Sequence, residues 1–219
     1  MVDAAVHEPD ADDELDLPAA QRHARRIERV TPWVLIVGGV IGLIASFVLT
    51  MEKLAILADP NYHPSCDINP VFSCGSVIVT KQAALFGFPN PFIGLTGFAV
   101  VVTLGVILVS GVQLPRWIWL GLNAGAVFGL LFIGWLVSQS LYVIGALCPW
   151  CMVVWTVTIP IFVYVTVANL VSGRLRTPAS WAGAIDIVGM LRNWIVIGLY
   201  LVIAALIFVR WFDFWLGRM

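Results

Sequence analysis

Trp33-Val34-Leu35-Ile36-Val37-Gly38-Gly39-Val40-Ile41-Gly42-Leu43-Ile44-Ala45-Ser46-Phe47-Val48-Leu49-Thr50-Met51 is the stretch that decides the fold. It contains no charged side chain, and as a helix rising ~1.5 Å per residue it reaches roughly the ~30 Å of a bilayer's hydrocarbon core. Four further apolar runs follow, at 91–112, 117–141, 147–171 and 193–212. Each is long enough to span. The pattern predicts an all-α integral membrane protein, a four-helix transmembrane bundle plus a fifth transmembrane helix. Composition agrees: 60% of the 219 residues are hydrophobic and 11% charged, where a soluble domain carries about 25% charge. A net charge of −1 gives no field that would gather nucleic acid.

Basic residues orient the spans. Arg22, Arg25, Arg26 and Arg29 precede the first run, which places the N-terminus in the cytoplasm. The chain then alternates: loop 52–90 outside, turn 113–116 with Arg116 inside, 142–147 outside, and 172–192 with Arg174, Arg176 and Arg192 inside. Lys53, Lys81, Arg210 and Arg218 fall on the outer side against that bias. Residues 1–20 are acidic (Glu8, Asp10, Asp12, Asp13, Glu14, Asp16) and lack the basic start of a secretion signal. Residues 1–30 read as a disordered cytoplasmic tail, 31–171 as the four-helix bundle with loop 52–90, and 172–219 as a cytoplasmic loop and the fifth helix.

The four cysteines form two pairs, and this topology puts both outside the cytoplasm. Cys148-Pro149-Trp150-Cys151 opens the fourth run. Two intervening residues allow a disulfide across one helical turn, with Pro149 at the first helical position and the helix N-terminus favouring thiolate. A zinc half-site and an inert bridge compete with this redox reading, although the spacing of Cys66 and Cys74 does not suit a zinc knuckle. Cys66 and Cys74 are separated by seven intervening residues on a Pro-bearing loop, which suits either a shuttle disulfide or a permanent staple.

Other features are read more plainly. Gly121, Gly125 and Gly129 on the third run, and Gly38 and Gly42 on the first, have the spacing that brings helices close, against a background of loose glycine use in membrane helices. Pro160 should remove one backbone bond from the fourth helix. The stretch from Ser76 to Phe86 is too short to span and reads as a half-helix at the membrane surface. Phe72, Phe88, Phe92, Trp150 and Trp155 can gather near the outer mouth as a ring-binding wall or an interfacial belt. Asn123, Gln139 and Asn169 read as helix contacts, and His63 and Asp67 as solvated loop residues.

Taken together, the Cys66–Cys74 loop, the glycine-containing stretch after it, Asn90-Pro91-Phe92-Ile93-Gly94 opening a span, and Cys148-x-x-Cys151 opening a later one resemble the vitamin K epoxide reductase family. The resemblance covers about residues 33–171. It implies that Cys66 exchanges with a partner protein, that Cys74 passes electrons to Cys148, and that Cys151 contacts a quinone. Asn90 matches a family asparagine that hydrogen-bonds a quinone oxygen. Thr80 stands where the family often has serine, and Trp155 where animal members have tyrosine.

The resemblance further implies a thiol–quinone oxidoreductase in a bacterial plasma membrane, with a quinone, menaquinone by the family's occurrence, as acceptor. Some bacterial members carry a fused thioredoxin-like domain. None precedes Met219, so a separate DsbA-like thioredoxin-fold partner is expected. An unrelated DsbB-type oxidase would place its Cys-x-x-Cys in the first outer loop. A non-enzymatic membrane protein with structural disulfides predicts two stable bonds and no exchange. Vitamin K epoxide reduction would need a substrate that bacteria are not expected to supply.

Overall fold

A peptide group left unpaired in lipid costs several kcal/mol, so the apolar runs satisfy their own backbones as helices. The structure, a computed structural model, describes residues 19–59 and 61–216. In chain order it contains α1 (Ala19–Ala58), α2 (Cys74–Ile78), a 3-10 turn (Lys81–Ala84), α3 (Pro91–Val109) and α4 (Arg116–Gln139). A π-turn (Ser140–Ile144), α5 (Pro149–Val171), a second 3-10 turn (Ala179–Trp181), α6 (Ala182–Arg210) and α7 (Phe212–Trp215) complete it. Among the described residues there is no strand, only an isolated parallel bridge between Phe72 and Leu147.

Five helical stretches are long and apolar enough to cross a membrane: Arg25–Ala58, Pro91–Val109, Arg116–Ile144, Pro149–Val171 and Ala179–Arg210. The expected all-α membrane bundle with a fifth helix is the fold found. Three boundaries differ from expectation. Residues 19–30 continue α1 rather than belonging to a disordered tail, because a helix already nucleated in the apolar run propagates into the polar residues before it; residues 1–18 lie outside those described. The fifth helix begins at Ala182, so 182–192 is helix rather than loop. The stretch after Cys74 forms two separate short turns instead of one half-helix, broken at Thr80, whose backbone is extended.

α3 and α5 pack on α1, α4 packs on α5, and α6 packs on α5 and also touches α1. The core runs through Leu35, Phe98, Val157, Ile161 and Val165. The glycines of α1 make close approach possible. A Cβ at Gly42 would stand 2.5 Å from the Phe98 ring, and one at Gly38 3.2 Å from Ile161. The α4 glycines behave differently. Gly129 faces Thr158, but a Cβ at Gly121 or Gly125 would meet nothing within 4 Å. Their spacing therefore serves open space, not helix contact.

α5 runs unbroken through Pro160. Proline lacks the N–H that would bond the carbonyl of Thr156, and the Tyr200 hydroxyl of α6 donates to that carbonyl instead. Asn123 and Asn169 are helix contacts, as expected: Asn123 accepts from Thr166 (2.9 Å) and Asn169 donates to the Trp119 carbonyl (3.1 Å). At the end bearing Asn169, Arg174 pairs with Glu28 at 3.2 Å. At the opposite end, Arg210 Nε donates to the Leu141 carbonyl at 2.7 Å, fastening α6 to the π-turn. Gly145 closes that turn at φ 72°, a left-handed conformation that suits glycine.

Candidate active site

Cys148 is the N-cap of α5, with Pro149 in the first turn and its sulfur accepting the Cys151 N–H at 3.4 Å. The sequence predicts this arrangement, since a helix N-terminus carries unsatisfied donors and positive potential. The Cys148 thiol pKa is lowered chiefly by a hydrogen bond from the Cys151 thiol. The backbone N–H groups of Cys151 and Trp150 add to the effect, while burial and the Asp67 charge oppose it.

Cys66 and Cys74 are joined as a disulfide, their Cα atoms 5.6 Å apart, while Cys148 and Cys151 are free thiols. Cys74 begins α2, capped by Ser73, whose hydroxyl accepts the Ser76 N–H at 3.0 Å. The two chain segments entering these helices are laced together. Leu147 N–H donates to the Val71 carbonyl (2.7 Å) and Ser73 N–H to the Leu147 carbonyl (2.9 Å). This lacing carries Cys74 and Cys148 side by side, with their sulfurs 3.2 Å apart and both residues fully buried. Cys66, Cys74 and Cys148 share one apolar cluster with Leu49, Val77, Ile78 and Ala146, and Trp150 packs against it.

Two loop residues do more than sequence reading assigned them. Asp67 is exposed, as expected, but its Oδ1 accepts from Ser73 Oγ (2.9 Å) and Gly75 N–H (2.8 Å), closing the loop around the disulfide. Asn69 Oδ1 accepts the N–H groups of Val71 and Phe72 at 2.9 and 2.8 Å. The Asn69-Pro70 pair is a turn signature that could have exposed this role. His63 is exposed.

Beneath the cysteines lies a cavity of about 730 Å³, within the range of small-molecule sites. Cys151 and Trp155, one turn apart on α5, both line it, as do Thr80 and Asn90. The remaining wall is mostly apolar, with Phe98 of α3 and Phe128 and Phe132 of α4, and the bare backbones of Gly121 and Gly125. Trp155 is 3% exposed. Asn90 is held by the loop: its Nδ2 donates to the Gln82 carbonyl at 2.7 Å and its Oδ1 accepts from Leu85 N–H at 3.1 Å. An amide nitrogen carries two hydrogens, so one remains for a ligand oxygen. Thr80 Oγ1 donates to the Val77 carbonyl at 2.7 Å.

Phe88 and Phe92 do not reach this cavity. Both are exposed at the loop and at the start of α3. Phe88 instead stacks on Phe86, which leans on Phe132 with ring centres 5.9 Å apart. Their places in the wall are taken by Phe98, Phe128 and Phe132, whose helical phase could not be assigned without knowing which faces of α3 and α4 turn inward.

A comparison with curated protein sequences returned no match. The description "Vitamin K epoxide reductase family" matches residues 33–166, more than half of the chain, and includes both cysteine pairs and the cavity-lining helices. Paired cysteines in sulfur contact above an apolar cavity, within a multi-pass bundle of this sequence pattern, place the chain in the vitamin K epoxide reductase family.

Proposed function

We propose that the protein oxidises a separate DsbA-like thioredoxin-fold protein on the outer side of a bacterial plasma membrane and passes the electrons through its two cysteine pairs to menaquinone. Membership of the family carries thiol–quinone oxidoreductase chemistry. The observation that carries the relay is the 3.2 Å contact of Cys74 and Cys148, because it joins the loop pair to the pair that faces the cavity.

The steps balance as thiol–disulfide exchanges. A partner thiolate attacks the Cys66 sulfur, the Cys66–Cys74 bond breaks, and the electron pair leaves on Cys74. The partner's second thiol resolves the mixed disulfide and frees Cys66. The Cys74 thiolate attacks Cys148 when that residue is bonded to Cys151, and Cys151 leaves as thiolate at the cavity wall. Exchange of Cys66 for Cys148 on Cys74 restores the loop disulfide, leaving the electrons on the inner pair as in the structure. The quinone, when bound, supplies an acceptor for two electrons and two protons. The cavity fits such a group: aromatic walls for fused rings, the spare Asn90 N–H for a ring oxygen, and the Cys151 sulfur in the same space.

Thiol trapping in cells, read on non-reducing gels, tests this reading. Cys151→Ala should accumulate a Cys74–Cys148 bond or a mixed disulfide through Cys66 with an exported thioredoxin-fold protein. Two native pairs that stay oxidised and unchanged would make the cysteines staples and end the enzyme reading.

A further inference from the structure

Glu52 lies near the outer end of α1, in the middle of an apolar surface. Leu49, one turn before it, belongs to the cluster holding Cys66, Cys74 and Cys148, and Ile56, one turn after it, packs on that cluster. A carboxylate on this face is unexpected, since a buried charge is costly unless paired. Glu52 is only 6% exposed. Its Oε1 accepts from Ser65 Oγ at 3.0 Å, and its Oε2 is fully enclosed without a hydrogen-bond partner. Ser65 is the residue immediately before Cys66 and is exposed. Tyr62, 38% exposed on the same loop, also meets this carboxylate, and hydrogen bonding to Glu52 raises the tyrosine pKa.

The other charged groups of this region are engaged elsewhere. Lys53, next on the same helix, donates from Nζ to the Ile78 carbonyl at 2.9 Å. Asp67, on the loop, is held by Ser73 and Gly75. Tyr62 is thus the titratable group of the packed loop that faces Glu52. If Ser65 needed only an anchor, a neutral amide would serve without burying an acid. The enclosed Oε2, which has no hydrogen-bond partner of its own, is instead an oxygen that can take a proton, and dithiol oxidation at Cys66 releases one.

We infer that Glu52 is a positioning residue for the loop disulfide, acting through Ser65: it orients the Ser65 hydroxyl beside Cys66 and takes onward the proton released when a partner dithiol is oxidised there. The inference rests on the relay proposed above. The partner's second thiol attacks its own bridged sulfur, the bond to Cys66 breaks with the electron pair on Cys66, and the thiol proton passes to the Ser65 oxygen. The Ser65 hydroxyl delivers its own proton to Glu52. Tyr62, exposed on the same loop, is the exit.

The test is single-turnover oxidation of a reduced thioredoxin-fold dithiol by the full chain in lipid nanodiscs, as a function of pH. Glu52→Gln keeps an oxygen for Ser65 but removes the base, and Ser65→Ala removes the hydroxyl and keeps the acid. Both should slow the exchange at least about tenfold near pH 6. The deficit should shrink to about twofold or less as pH rises past the ordinary thiol pKa of ~8.5, where the partner thiol ionises unaided. Oxidation of the Cys148–Cys151 pair alone by menadione, followed with Cys66 and Cys74 replaced by serine, should be unchanged in both. A deficit equal at every pH, or none, overturns the inference while leaving the relay intact. Failure of the wild type itself to exchange with the dithiol overturns the relay instead.

Discussion

The sulfur of Cys148 lies 3.2 Å from the sulfur of Cys74, although 74 positions separate the residues in sequence. The contact is imposed by backbone, since Leu147 and Ser73, each next to one of the cysteines, are hydrogen-bonded to each other. The Cys66 side of the loop can therefore change partners while the Cys74 side stays aimed at α5.

The acidity of Cys148 follows first from the Cys151 thiol that donates to it. A lowered pKa means that thiolate is present from a lower pH upward and is lost as pH falls through that lowered value. Cys151→Ala removes the largest cause and should move the onset of Cys148 thiolate to higher pH. Cys151→Ser, which keeps a donor, should move it less. Ultraviolet thiolate absorbance against pH, in a background with Cys66 and Cys74 replaced by serine, checks the order.

The open space at Gly125 gives a second expectation. Gly125→Leu should place its side chain in the cavity without striking a neighbour, so stability should change by less than about 1 kcal/mol. The KM for quinone should rise about tenfold or more, because a cavity wall has moved inward. Exchange between the loop disulfide and a dithiol should not change. Gly42→Leu is the control, since its Cβ collides with Phe98 and should cost about 1–3 kcal/mol in resistance to unfolding from detergent.

Tyr200 and Pro160 act as a pair across the fourth and fifth spans. Tyr200→Phe leaves the Thr156 carbonyl without a donor and should cost about 0.5–1.5 kcal/mol. Pro160→Ala restores an N–H for that carbonyl, so in the Pro160→Ala background the tyrosine hydroxyl should matter little. A double-mutant cycle by thermal unfolding measures the coupling, and additive effects would contradict the pairing.

Asp67→Ala removes the one oxygen that accepts from both Ser73 and Gly75 and should loosen the loop by about 1–3 kcal/mol. Hydrogen exchange at Gly75 and Ser76 should speed up while the amides of α5 stay protected. Equal protection in both proteins would reduce Asp67 to a surface charge.

The spans and the cysteine pairing are legible in the sequence because their signals are strong and local: uninterrupted apolar length, and sulfur at short spacing. Helix facing is not. Gly38 and Gly42 look like Gly121 and Gly125 in spacing, yet one set meets Ile161 and Phe98 and the other meets empty space. Only the positions of neighbouring helices separate them. Trp155 could be placed from its four-residue step to Cys151, whereas Phe92 could not, since its relation to the site depends on where α3 enters the bundle. Glu52 and Tyr200 escaped because their partners lie on other elements, and Asp67 because its bonds depend on how the loop folds back on itself.

The relay depends most on direct transfer between Cys74 and Cys148. Purified protein carrying Cys66→Ala and Cys151→Ala retains only these two sulfurs, and mild oxidation followed by peptide mass spectrometry reports their bond. The account predicts rapid, near-complete Cys74–Cys148 linkage within one chain. Free thiols that resist oxidation, or linkage only between chains, would contradict it.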